Sequence, residues 1–155
     1  MTVHKGTQYT KQYVSTTGKA DRNVNMGKFY RLYDEYLTSE SSYAIGDTVL
    51  GPRIPAGAIV VGGGISHEAI TSCTDCDFGW QATKDGDGNT LAADADGFFD
   101  GTDISSAGTS LVSDQANAAG MGQKFGQETQ TVLLFNVAPT SSSSEKIKFW
   151  VDVIY

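Results

Sequence analysis

Positive charge is scarce in this chain: 11 Lys and Arg stand against 18 Asp and Glu, for a net charge of −7. Phosphate binding needs cations gathered on one surface, so nucleic acid is not expected as a partner. Long apolar runs are absent too. Nothing approaches the ~18 residues needed to cross a bilayer, so no membrane partner is expected. The opening residues, Met1-Thr2-Val3-His4-Lys5-Gly6, lack the apolar centre of a secretion signal, which implies synthesis in a cytoplasm. Two cysteines do not make a disulfide framework. Catalytic signatures are missing as well: there is no G-x-S-x-G elbow and no H-E-x-x-H pair. Asp34 and Glu35 are adjacent on an expected strand and therefore face opposite ways, which keeps them from acting as an acid/base pair. The chain is expected not to be an enzyme.

What is present points to β structure. Glycine is abundant at 18 residues, charged residues make up only 19%, and Ser and Thr fill many connecting segments. That balance suits short strands joined by turns and is poor in helix formers. At 155 residues one domain is expected, with enough chain to bury a core without staples.

Charge is unevenly placed. Lys5, Lys11, Lys19, Arg22, Lys28 and Arg31 face a single acid, Asp21, within residues 1–31, a net +5 that leaves −12 for the rest. Residues 1–26 show neither a strand nor a helix period and hold too little apolar surface to fold alone. They read as an extended arm on a body spanning residues 27–155. Lys5, Tyr9, Lys11, Tyr13, Lys19 and Arg22 are the expected assembly contacts, a basic arm laid across an acidic neighbour. A solvated tail is the plain alternative.

Along the body, residues 28–37 fit both a helical stripe and a strand, with Phe29, Tyr33 and Leu37 on one strand face. Four aromatics in ten residues favour the strand. Pro55-Ala56-Gly57 reads as a tight turn, with Pro55 at its first corner. The strand after it is interrupted by Gly62-Gly63-Gly64, which suggests a bulge or a close backbone approach. A short strand is expected over residues 77–82. Residues 84–103 form a long Asp- and Gly-dense loop that continues, irregular and polar, through residue 126. Thr131–Val137 is a strand buried on both faces, and residues 139–145 turn into a last strand. There Ile147, Phe149, Val151, Val153 and Tyr155 alternate with Lys148, Trp150, Asp152 and Ile154. The last two strands are expected to pair as a hairpin.

Two segments carry candidate chemistry. Cys73-Thr74-Asp75-Cys76 is a C-x-x-C pair, but zinc needs two more ligands and only His4 and His67 are on offer. Two thiols or a local disulfide are the plain readings. Asp85, Asp87 and Asn89, with Asp96 at the twelfth position, resemble a calcium loop. However, Thr90 stands where glycine is required and no Glu closes the loop. No cofactor is expected, and calcium is the one candidate.

The order of features resembles a family. It runs from the aromatic strand to Ile54-Pro55-Ala56-Gly57-Ala58-Ile59-Val60-Val61 and then the Gly79-Trp80 strand. Phe98-Phe99-Asp100-Gly101-Thr102-Asp103-Ile104-Ser105-Ser106-Ala107-Gly108 and a closing pair of strands complete it. Over residues 28–155 this is similar to capsid decoration, or cement, proteins of tailed phages. The resemblance implies an all-β, single antiparallel jelly-roll-like sandwich. It also implies a homotrimer seated on a major capsid protein at the virion surface. Other virion positions (tail, neck or fibre base) share the likeness. A carbohydrate-binding sandwich is the alternative from another class, with Trp80, Phe98 and Phe99 as its stacking platform.

Overall fold

The computed structural model describes residues 28–38, 43–115, 119–140 and 144–154. Its strands are β1 (Phe29–Leu37), β2 (Thr48–Ile54), β3 (Ile59–His67), β4 (Cys76–Trp80), β5 (Thr83–Lys84), β6 (Thr90–Leu91), β7 (Asp94–Thr102), β8 (Gly108–Leu111), β9 (Thr129–Phe135) and β10 (Lys146–Ile154). The pairing is nested. β1 pairs with β10, β2 with β9, β3 with β8 and β4 with β7, all antiparallel. The chain is thus one long hairpin with the small β5–β6 ribbon at its tip. Rolling that hairpin brings β10 beside β3 and β9 beside β4. Two four-stranded sheets result, β1-β10-β3-β8 and β2-β9-β4-β7. This is a jelly-roll sandwich, the fold class expected from the sequence.

Strand β10 shows why the sequence folds this way. Ile147, Phe149, Val151 and Val153 are fully buried between the sheets, and the intervening side chains face outward. The core is rich in aromatics. Phe149 of one sheet meets Phe78 of the other edge-on at 5.5 Å, and Phe78, Trp80, Phe98 and Phe125 continue the chain of contacts. Each fully buried ring contributes roughly 1.5–3 kcal/mol relative to exposure.

β3 runs unbroken through its three glycines, and both expectations for them hold. Asp152 pairs with Gly62 while Val153 pairs with Val60, so Val61 is the extra residue of a bulge. At Gly64 the Trp150 indole lies so close that a Cβ would overlap it. The turn before β3 is shifted by one residue from expectation. Ala58 N–H donates to the Pro55 carbonyl (3.2 Å), so Pro55 precedes the corners, and Gly57 takes the second with φ +85°.

Two expectations fail. β9 and β10 do not form a hairpin: β9 lies between β2 and β4, β10 lies between β1 and β3, and the Pro139 segment crosses from sheet to sheet. Nor are residues 84–126 an irregular loop, because they contain β5 to β8 and a 3-10 turn at Val112–Asp114. Phe98, Phe99, Ile104, Val112 and Phe125 are fully buried there and tie the segment to the body. Backbone bonds add to this: Phe125 N–H donates to Ala58 (2.9 Å), and Gly57 N–H donates to Phe125 (2.7 Å).

Candidate assembly face

The calcium candidates separate. Asp85 closes the β5–β6 turn, its Oδ1 accepting from the backbone N–H of Asp87 (2.9 Å) and Asn89 (2.8 Å), while Gly88 takes φ +86°. Desolvation pushes the Asp85 pKa up, but hydrogen bonds from Asn89, Asp87 and Gly88 outweigh it and hold the carboxyl below its usual value. Asp96 lies on β7, two residues from Asp94. A hydrogen bond to the Asp96 side chain, helped by desolvation, pushes Asp94 up to about 6. Among the described residues no three His, Cys, Asp or Glu side chains gather as a metal site.

The cysteines are buried free thiols. They face one another: a hydrogen bond from Cys76 lowers the Cys73 pKa, and the same contact with burial raises that of Cys76. His67 is buried at the end of β3, its Nδ1 3.1 Å from the Glu68 carbonyl oxygen. The acids flanking the cysteines fasten a sheet end. The Asn136 amide donates to Asp75 (2.9 Å) and Asp77 (2.6 Å), and Gly101 N–H donates to Asp77 (2.9 Å).

Trp80, Phe98 and Phe99 are core residues, which removes the stacking platform expected of them. Trp80 donates its indole N–H to the Ala92 carbonyl (3.2 Å), the usual arrangement for a buried tryptophan. The assembly contacts Lys5, Tyr9, Lys11, Tyr13, Lys19 and Arg22 lie outside the described residues, as do His4 and Tyr155.

What the structure does assemble is the outer face of the β1-β10-β3-β8 sheet. Register places side chains of neighbouring strands in cross-strand rows. Tyr33, Trp150, Gly64 and Leu111 form one row across all four strands. On one side of it run Arg31, Asp152 and Gly62, and on the other Glu35, Lys148, Ser66 and Thr109. Arg31 grips Asp152 with two parallel bonds, Nε–Oδ1 at 2.8 Å and Nη2–Oδ2 at 2.9 Å, and lies 5.0 Å over the Trp150 ring. The indole is therefore held between a guanidinium and a glycine floor. Glu35 takes Lys146 at 3.1 Å and Lys148 at 3.9 Å, and Tyr33 donates its hydroxyl to Glu35 at 3.1 Å. The Lys146 hydrogen bond foremost, with the other two groups, lowers the Glu35 pKa. Asp34 instead accepts from the Glu35 N–H (2.8 Å), so the two adjacent acids do work apart.

Sequence reasoning did not single out this face, yet it left signals. Trp150 sits in the polar phase of the β10 alternation, and Phe29 and Tyr33 share one face of β1.

No family model matches this chain, and no curated protein matches it. Its fold is similar to that of solved structures. A chain of the capsid of Ralstonia phage GP4 superposes with a TM-score of 0.63 at 12% identity, covering 93% of each chain. A chain of the cyanophage Pam1 capsid asymmetric unit gives 0.55 at 14% identity, over 92% of this chain and 94% of that one. The jelly roll described above is thus shared, nearly end to end, with chains of two phage capsids.

Proposed function

We propose that this chain is a non-enzymatic structural subunit of a phage virion. In this reading it decorates the head as a cement protein, binds a major capsid protein and works as a symmetric oligomer. The observation that carries the reading is the reciprocal coverage of the GP4 capsid chain, 93% of both chains. The likeness spans nearly all of both chains and is not confined to a segment of either. The arm of residues 1–26, with four Lys and Arg against one Asp, would lie over the acidic body of a neighbour or along the shell. Many modest contacts repeated over a symmetric shell add up without pocket chemistry.

The test uses heads of the phage that encodes the chain, stripped of it and sedimented with purified protein. Saturable co-sedimentation is expected, with a marked loss when residues 1–26 are deleted. Capture by isolated tails but not heads would move the protein to another virion position. Capture by neither would overturn the structural reading. Full binding by the truncated chain would remove the arm from it.

A further inference from the structure

We propose that the outer edge of β1 pairs with β1 of a second copy of this chain, antiparallel and about a two-fold axis at Tyr33. The inference rests on the assembly reading above and names one contact of its oligomer.

The two sheets of the sandwich end in four edge strands, and three of them are blunted. β2 carries Pro52 inside a break in its register with β9. β7 shifts register against β4 on both sides of Phe78, and its Gly97 carbonyl accepts from the Gly120 N–H (2.7 Å). β8 is only four residues long. β1 has nine residues, contains neither proline nor glycine, and pairs with β10 along its whole length without a shift. A long, regular edge of this kind is a template for another strand.

Bonds at the end of the strand show which groups face outward. Thr38 N–H donates to the Glu145 carbonyl (2.9 Å), which makes the even-numbered residues of β1 the ones bonded to β10. Glu68 N–H donates to the Lys146 carbonyl (3.0 Å), so Lys146, opposite Leu37, turns its backbone toward β3 instead. Phe29, Arg31, Tyr33, Glu35 and Leu37 therefore point their N–H and C=O groups away from the sheet. Among the described residues one of these groups is taken, the Glu35 N–H, which donates to Asp34 Oδ1 (2.8 Å).

The order of residues in β1 selects the occupant. Run against itself about Tyr33, the strand sets Phe29 opposite Leu37, Tyr30 opposite Tyr36, Arg31 opposite Glu35 and Leu32 opposite Asp34. Odd residues meet odd ones, so outward backbone groups face outward backbone groups and the ladder closes. Apolar meets apolar, aromatic meets aromatic and cation meets anion. Arg31 and Glu35 already hold Asp152 and Lys146 within their own chain, and each gains a further neighbour of opposite sign. Asp34, opposite Leu32, is the one mismatch, and it also occupies the Glu35 N–H that pairing needs.

Light scattering over a concentration series reads the mass of the full chain. A dimer, or an oligomer built from dimers, is expected. Tyr33→Pro removes an N–H that the body does not use, so circular dichroism should be unchanged while association weakens ~10-fold or more. Asp34→Ala should tighten association. Single cysteines fix the register, and they decide the matter even if the proline variant unfolds. Tyr33→Cys lies at the axis and should give a covalent dimer on oxidation by a small-molecule disulfide. Phe29→Cys is the more exposed position, but in this register it stands ~27 Å from its own copy and should not cross-link. The native cysteines are buried and do not interfere. A monomer at every concentration, an odd-numbered oligomer, or a Tyr33→Cys chain that cross-links no better than Phe29→Cys overturns the pairing. The last result is also the one expected if residues 1–26 or another protein occupy the edge. Head binding, read separately by co-sedimentation, leaves the assembly reading standing in each case.

Discussion

The two sheets share a core but treat their outer faces differently. In β2-β9-β4-β7 the chain covers the middle of its outer face: every residue of β4 and Val132 beside it are buried, while Leu50 on the edge strand is exposed. The backbone at Asp94–Ala95 closes over Gly79 so tightly that a Cβ there would collide with carbonyl groups. In β1-β10-β3-β8 no such cover is present among the described residues, and a tryptophan, a tyrosine and a leucine stand in one outward row. A jelly roll needs only its inner faces to fold. A dressed face and an open one on the same sandwich therefore separate what folding requires from what it does not.

Adjacent residues of β10 offer the strongest way to break that contrast. Phe149 is fully buried and touches Phe78 across the sandwich, whereas Trp150 points outward over Gly64. Phe149→Ala is expected to cost ~3–5 kcal/mol in urea denaturation. Trp150→Ala, although it removes the larger ring, should cost only ~1 kcal/mol, because its loss opens no interior cavity. Equal costs would mean that the outer face is as much a part of folding as the core.

The same strand shows what could be read from sequence. Alternation along β10 reports faces, and its inward set was legible residue by residue. It does not report neighbours. Arg31 and Asp152 are 121 positions apart in the chain yet bonded side by side, and no local pattern marks such a pair. That is why β9 and β10 read as a hairpin when each lies in a different sheet. In residues 84–126 the alternation itself fails. Phe98 and Phe99 are both buried because the β4–β7 register shifts on either side of Phe78, and the surrounding Asp and Gly look like loop. Of the candidate site, single outward aromatics were visible, and the row they form was not.

A smaller effect probes how the open face is built. Gly64→Ala is expected to displace the Trp150 indole and loosen the fold by ~1–3 kcal/mol. The penalty should fall in a Trp150→Ala background without vanishing, because the Ser110 carbonyl oxygen still stands 2.9 Å from the Cβ position. A double-mutant cycle by urea denaturation reads this coupling directly. Additive costs would show that the glycine is required by the β3 backbone and not by the indole.

The smallest effect belongs to the other sheet, where Asp94 stands near Asp96 on β7. With its pKa raised to about 6, Asp94 contributes most when protonated, below the ordinary aspartate value near ~4. That contribution is lost as pH rises through 6, because both groups must then ionise side by side. Asp94→Asn keeps a hydrogen-bond donor next to Asp96 and removes one of the two charges. The variant should therefore melt slightly above the wild type at pH 7.5, and the gap should close toward pH 4. The site is largely open to water, so a shift of a few degrees at most is expected. A gap that does not change with pH would mean that the carboxyls are apart in solution, and that this edge, unlike the Glu35–lysine cluster on the open sheet, carries no linked charge.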